Sequence, residues 1–377
     1  MEAAGNVAPF PAGRMKPRAA LVLTGGGARA AYHAGVLKAV RDILGRPLQN
    51  PFPIVCGTSA GALNAAFLAA GADDFSGAVT NLLELWERMR CRLVYRTDPW
   101  HIAQSGARWL GALMLLSRRN PVSLFDNAPL RALLDKHVHF GRIQNHIDSG
   151  ALYAACVTAS GYTSGQSVSF FQGGSGLEGW ERGQRVGAAV SLRVEHLLAS
   201  AALPFIFPAV KVHREYFGEG SMRQIAPVSP ALHLGADRVL VIGTGRRSEE
   251  PARARSNVYP SLAQIAGHAL DSMFLDTLAA DMERLERKER TIRVLFVAPS
   301  QPLERLAARF IHELPRSVRF LLRPTGAMNR SGSNLASYLL FERSFCRALI
   351  DLGYRDTAGR EAEVQDFFDH SQGRAHG

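Results

Sequence analysis

No stretch of this sequence is both long and apolar enough to cross a bilayer. The longest apolar segments, such as 109–116, fall far short of the roughly 20 residues a spanning helix needs. Arg14, Lys16 and Arg18 precede the apolar run Ala19–Leu23 as a signal peptide's charges would, but that run stops at three glycines and Arg29 interrupts the next stretch, so no signal core forms. Cysteine is scarce. Cys56, Cys91, Cys156 and Cys346 lie far apart, with no CxxC and no metal-ligand spacing. That excludes a disulfide framework and a zinc site, and leaves free, mostly buried thiols in a reducing compartment. The acidic pair Asp73-Asp74 lacks the oxygen-ligand spacing of a calcium loop. Internal repeats and low-complexity blocks are also missing. The formal net charge of +11 is not gathered into a Lys/Arg block. The arginines interleave with acids, as in 281–293, a pattern that reads as a solvated helix face. Such a charge favours anionic surfaces without choosing between nucleic acid and phospholipid.

What is present is an ordinary globular composition, 47% hydrophobic over 377 residues, enough for a large core. Residues 1–17 read as a disordered leader. Ala19–Leu23 reads as a buried strand ending at glycines, followed by a helix over 28–44. A second strand over 54–56 leads to a turn at 57–61 and an Ala/Leu helix over 62–70. This alternation belongs to a parallel α/β sheet. Further strands are expected at 152–158, 167–171, 209–212, 238–242 and 292–297. The segment 80–140 reads as mostly helical, with turns at 98–99 and 120–121. One or two helices are expected over 261–290, and a polar, helical stretch with a mobile tail over 301–377.

Two motifs carry chemistry. Gly25-Gly26-Gly27, between a strand and a helix, can turn tightly and aim its amides at a ligand, helped by the helix dipole. Gly25-x-Gly27-x-x-Ala30 also satisfies the dinucleotide fingerprint. That reading requires an acid at the end of the second strand to hold a ribose. Cys56-Gly57-Thr58-Ser59 stands there instead, so no nucleotide is expected. Gly57-Thr58-Ser59-Ala60-Gly61 is a GxSxG nucleophile elbow in the right strand–helix context. On adjacent parallel strands both loops emerge at one sheet edge. A nucleophile would then face ready amide donors, an arrangement suited to acyl transfer.

LVLTGGGARAAYHAGVL followed by CGTSAGALNAA resembles the patatin-like phospholipase family, as do ASAALPFIFPAV at 199–210 and APVSPALHLGADRVLVIG at 226–243. The resemblance implies a three-layer α/β fold with a mainly parallel central sheet flanked by helices over 18–300, and a helical C-terminal extension over 301–377. It implies calcium-independent hydrolysis by a Ser-Asp dyad, with no cofactor and no histidine. Ser59 would be the nucleophile, and Gly25, Gly26 and Gly27 the oxyanion hole. Arg29 occupies the basic position of the glycine motif, where it would meet a substrate phosphate or anchor the loop. Two residues depart from the pattern: Ala30 replaces a glycine, and Glu219, in Tyr216-Phe217-Gly218-Glu219-Gly220-Ser221, replaces the aspartate.

The extra methylene of Glu219 would move its oxygens by roughly 1–1.5 Å on a fixed backbone. An error of that size costs on the order of 100-fold in rate. Three outcomes follow: a site adjusted to Glu219, a slow enzyme, or a silent lipid-binding or regulatory protein. On this reading Glu219→Asp raises turnover. Ser59, Glu219 and His268 also follow a triad's chain order, but His268 sits in a helical stretch. His33 and Asp237 are expected to be structural. The expected partner is a phospholipid or other acyl-ester lipid, with no nucleic acid. The expected location is cytoplasmic, with peripheral contact at the inner face of the membrane. Segments 107–116 and 315–323, apolar with flanking arginines, are candidates for that contact.

Overall fold

The computed structural model describes residues 18–113, 123–245, 259–276, 281, 292–329 and 332–369. The leader, the turn at 120–121, the end of the 107–116 segment, most of the charged run 281–293 and the residues after 369 lie outside them.

Among the described residues ten strands form one sheet. They are β1 (Ala19–Leu23), β2 (Ile54–Thr58), β3 (Ala154–Gly161), β4 (Ser167–Gly173), β5 (Trp180–Arg182), β6 (Arg185–Ala189), β7 (Val210–Val212), β8 (Glu215–Gly218), β9 (Arg238–Ile242) and β10 (Arg293–Val297). The main order is β10-β9-β1-β2-β3-β4-β6-β5, and β8 pairs with β3 and β7. From β10 to β3 every pairing is parallel. Antiparallel pairs begin with β4 and β8, both against β3. Successive side chains of β1 serve two cores. Leu21 and Leu23 join the larger cluster, and Ala20 and Val22 the smaller one on the opposite face. With both faces covered, the central strands are continuous apolar runs.

The larger core lies under α1 (Ala31–Ile43), α2 (Ala60–Ala70) and α3 (Phe75–Glu87). Asp74 caps α3 by accepting the Gly77 N–H at 2.9 Å, and Asp73 pairs with Arg142. The acidic pair therefore has a structural role. The stretch beyond 301 is helical as expected, yet its helix Arg343–Ala358 is not merely polar. It buries Phe345, Cys346, Leu349 and Ile350 and lies tightly on α1. A Cβ on Gly35 would stand 2.0 Å from the Ile350 carbonyl oxygen, and one on Gly353 would stand 2.4 Å from that of Tyr32. Paired glycines let these two backbones touch.

Two local expectations are corrected. The helix expected over 28–44 begins as a 3-10 turn, Gly27–Ala30, and becomes α-helical at Ala31. The turn expected at 57–61 does not exist as a loop: β2 runs through Thr58 and α2 starts at Ala60, leaving Ser59 alone between them. Small residues make this possible, since a Cβ on Gly57 would lie 2.3 Å from the Gly61 carbonyl oxygen. Over 261–276 the helix Leu262–Asp271 gives way to a π-helical turn, Ser272–Asp276.

Candidate active site

The register brings the two motifs together. Leu23 at the end of β1 pairs with Gly57 near the end of β2, so the glycine loop and Ser59 leave the sheet at one carboxyl edge. Gly61 tightens the junction further, because a Cβ there would lie 2.2 Å from the Leu23 carbonyl oxygen. Ser59 has φ 56° and ψ −130°, a positive φ rare outside glycine. Such a backbone persists only where its surroundings over-determine it. Here the Ser59 N–H donates to Ser200 Oγ at 2.8 Å, and Ser200 Oγ donates to the Thr158 carbonyl at 2.6 Å. The elbow is thereby tied to β3. Thr58 Oγ1 donates to Gln224 Oε1 at 2.8 Å, which holds the residue before the serine.

Strand β8 delivers the acid. Gly218 pairs with Ser160 of β3, and Glu219 follows at once, its own N–H donating to the Ala202 carbonyl at 3.0 Å. Gly220 permits this approach, since a Cβ there would meet the Thr158 carbonyl at 2.1 Å. Ser59 Oγ donates to Glu219 Oε2 at 2.7 Å, and the Ser221 N–H donates to Oε1 at 3.3 Å. Glu219 is fully buried. Burial pushes its carboxyl up to about 8, against the downward pull of the hydrogen bonds from Ser59 and Ser221.

The glycine loop is shaped from behind. Gly26 has φ 154° and Gly27 φ 56°. A Cβ on Gly27 would lie 2.3 Å from the Tyr338 carbonyl oxygen, and one on Gly25 would enter the ring of Phe274. Thr244 Oγ1 donates to the Gly25 carbonyl at 2.5 Å. Among the described residues no protein acceptor takes the amides of Gly25, Gly26 or Gly27. Arg29 is buried and fully engaged. Its Nε donates to Ser337 Oγ at 2.7 Å, its Nη1 to Tyr338 Oη at 3.0 Å and Asp271 Oδ1 at 3.1 Å, and its Nη2 to Asn334 Oδ1. The guanidinium also lies over the Tyr338 ring. Of its two expected roles, this geometry is that of a loop anchor.

The remaining candidates stand apart. His268 is exposed on the helix Leu262–Asp271. Asp237 precedes β9, at the opposite end of the sheet from the elbow. His33 is buried on α1 with Nδ1 3.2 Å from Asn64 Nδ2, and burial lowers its imidazole to about 3, so it stays neutral. Ser200, Gln224, Thr244, Asp271, Phe274, Asn334, Ser337 and Tyr338 were not singled out from the sequence. Of these, Ser200 lay in ASAALPFIFPAV, and Asp271 and Phe274 lay in the helical stretch around His268.

Ser59 and Gly27 open onto an apolar cavity walled by Leu63, Phe67, Leu85, Met89, Leu130, Leu134, Leu203 and Phe207. Such walls suit a hydrocarbon chain. A family model described as patatin-like phospholipase matches residues 21–232, more than half of the chain. The chain belongs to the patatin-like phospholipase family. The mainly parallel α/β sheet flanked by helices is that family's fold. The chain is 29% identical over 214 residues to a cGAMP-activated phospholipase of Pseudomonas aeruginosa, covering 56% of this chain and 55% of that protein. It is 51% identical over 51 residues to a cUMP-AMP-activated phospholipase of Escherichia coli, covering 14% and 16%. It thus spans about half the length, or less, of these curated relatives. Among solved structures it is similar to VipD from Legionella pneumophila, at 14% identity and TM-score 0.34, covering 86% of this chain and 67% of that one. It is also similar to human GIVD cytosolic phospholipase A2, at 12% identity and TM-score 0.43, covering 93% and 59%. Among the described residues no group of potential metal ligands gathers, and no helix is long and apolar enough to cross a membrane.

Proposed function

We infer that this patatin-like protein cleaves acyl esters of phospholipids or lysophospholipids with Ser59 as nucleophile and Glu219 as base. Ser59 Oγ attacks the ester carbonyl and its proton passes to Glu219 Oε2. The amides of Gly25, Gly26 and Gly27 receive the oxyanion. Collapse releases the alcohol, which takes the proton from Glu219, and leaves an acyl-serine. Water then attacks the acyl-serine as Glu219 removes its proton, and Ser59 is restored. The single observation that carries this reading is the 2.7 Å hydrogen bond between Ser59 Oγ and Glu219 Oε2. It lies at the mouth of a hydrocarbon-lined cavity, which supports a fatty acyl group as the moiety transferred. The alternative is a patatin-fold lipid binder without turnover, because Glu219 replaces the family's aspartate. Release of fatty acid from phospholipid vesicles by the native chain, absent in Ser59→Ala, tests the proposal. Equal release by both proteins would sink it.

A second reading concerns control. The relatives' names describe phospholipases activated by cyclic dinucleotides, against the expectation of no nucleotide partner. A rise in turnover on adding cGAMP or cUMP-AMP would extend that control to this chain, and unchanged turnover would keep the nucleotide out.

A further inference from the structure

Away from the hydrolytic site the surface carries a concave cluster of cations. The helix Arg316–Leu322 and the residue after it place Arg316, Phe320 and Arg323 on one face, at spacings of four and three residues. All three are exposed, Phe320 at 81%. Arg319 and His312 join them around a depression floored by Ile311 and Met328, and among the described residues no carboxylate lines it. The guanidinium groups of Arg316, Arg319 and Arg323 have no hydrogen-bond or ion-pair partner among the described residues, and Arg319 Nε is buried without an acceptor.

This helix rests on the helix Pro99–Leu113, where Leu321 reaches Gly106 and Ser317 Oγ donates to the Thr97 carbonyl at 2.5 Å. That second helix exposes Trp100 at 75% and sets Trp109 edge-on to Phe205, ring centroids 6.2 Å apart. Phe205 is 74% exposed and held at φ 64°. Its close neighbours Leu203 and Phe207 line the acyl cavity. A row of arginines unpartnered among the described residues, with exposed aromatic rings beside it, therefore continues to the outside of the cavity wall.

We propose that this face docks on an anionic phospholipid bilayer. Arg316, Arg319 and Arg323 take headgroup phosphates, while Phe320, Trp100 and Phe205 enter the interfacial layer beside them. The proposal rests on the reading of the chain as a lipid hydrolase and adds where its membrane lies. Arginine's fork matches phosphate oxygens, and aromatic rings settle at the headgroup level. Negative lipids would supply the counter-charge that the described residues do not.

The test is co-sedimentation of the full chain with vesicles of phosphatidylglycerol and phosphatidylcholine, or of phosphatidylcholine alone. The native chain is expected to sediment with the mixed vesicles and much less with the neutral ones. R316E/R323E should reduce that partition about tenfold or more, and Phe320→Ser should reduce it severalfold. Both variants should hydrolyse a soluble short-chain ester within about twofold of the native rate, since neither touches the site. Equal sedimentation of native and charge-reversed chains overturns the proposal, as does equal binding to neutral vesicles. It is also overturned if calorimetry finds inorganic phosphate or a cyclic dinucleotide bound at the arginines while the mixed vesicles are ignored. Vesicle binding without ester turnover by the native chain would remove the hydrolase reading and leave the docking face standing.

Discussion

Glu219 and Ser59 are in direct contact, oxygen to oxygen at 2.7 Å, although the acid is one methylene longer than the family's aspartate. The backbone on both sides of the acid is fixed, by the Ala202 carbonyl before it and by Gly220 pressed on Thr158 after it. The longer side chain thus reaches the serine from a position that will not readily slide.

This contact reverses the expectation that restoring aspartate helps. Glu219→Asp withdraws the carboxylate by roughly 1–1.5 Å. Turnover should fall on the order of 100-fold in kcat, with KM little changed. Steady-state kinetics on a soluble ester decide it, and a faster Asp variant would mean that the pair is strained in the native chain.

The pH dependence follows from the same burial. Only the ionised acid can accept the serine's proton, and burial lifts its pKa to about 8. kcat/KM should therefore climb with pH and level off above that value. Stability should run the other way. Between the ordinary value of 4.5 and about 8 the native chain keeps a proton that the unfolded chain releases, so stability declines as pH rises through this window. Glu219→Gln should be inactive and melt higher than the native protein at pH 8. A rate profile that is already flat in the acid range would contradict this account.

Gly27→Ala should damage the loop twice, through its φ of 56° and through the Tyr338 carbonyl 2.3 Å from the new methyl. The expected cost is about 1–3 kcal/mol of stability together with most of the turnover. Thermal melting and ester hydrolysis, measured side by side, give the two effects.

Arg29→Ala removes the donors that join the loop to Ser337, Tyr338, Asn334 and Asp271. Asp271 is part-exposed, so the loss should be about 2–3 kcal/mol rather than that of a sealed ion pair. Since no donor of Arg29 is spare for substrate, kcat should fall more than affinity for a phosphate-bearing lipid. A selective rise in KM for charged lipids would instead place a phosphate beside it.

Leu133 lines the cavity and is half-buried at its edge. Leu133→Trp should lower hydrolysis of long acyl chains about tenfold while sparing short ones. Equal loss for both lengths would mean that the hydrocarbon lies elsewhere.

How much was legible depended on where the information sits. β1, β2 and the two glycine motifs could be read because apolar runs stop abruptly at glycine. The length of the elbow could not, since Gly57 and Gly61 read as loop residues and act instead by letting a strand and a helix touch. β5 and β6 were missed because Trp180–Arg182 and Arg185–Ala189 are short, partly exposed and charged. The partners of Arg29 were invisible because they lie more than 200 residues away along the chain, in ordinary helical sequence. His268 was set aside on its helical surroundings, and it lies exposed on the helix Leu262–Asp271.

The tie between Arg29 and residues 334–338 also gives the polypeptide an order of assembly. On the proposed mechanism the serine and the carboxylate have both been made by residue 219, but the backing of the glycine loop at Gly27 comes only with Tyr338. A nascent chain halted before that point would hold the proposed serine and carboxylate but lack the residues that pack behind the glycine loop.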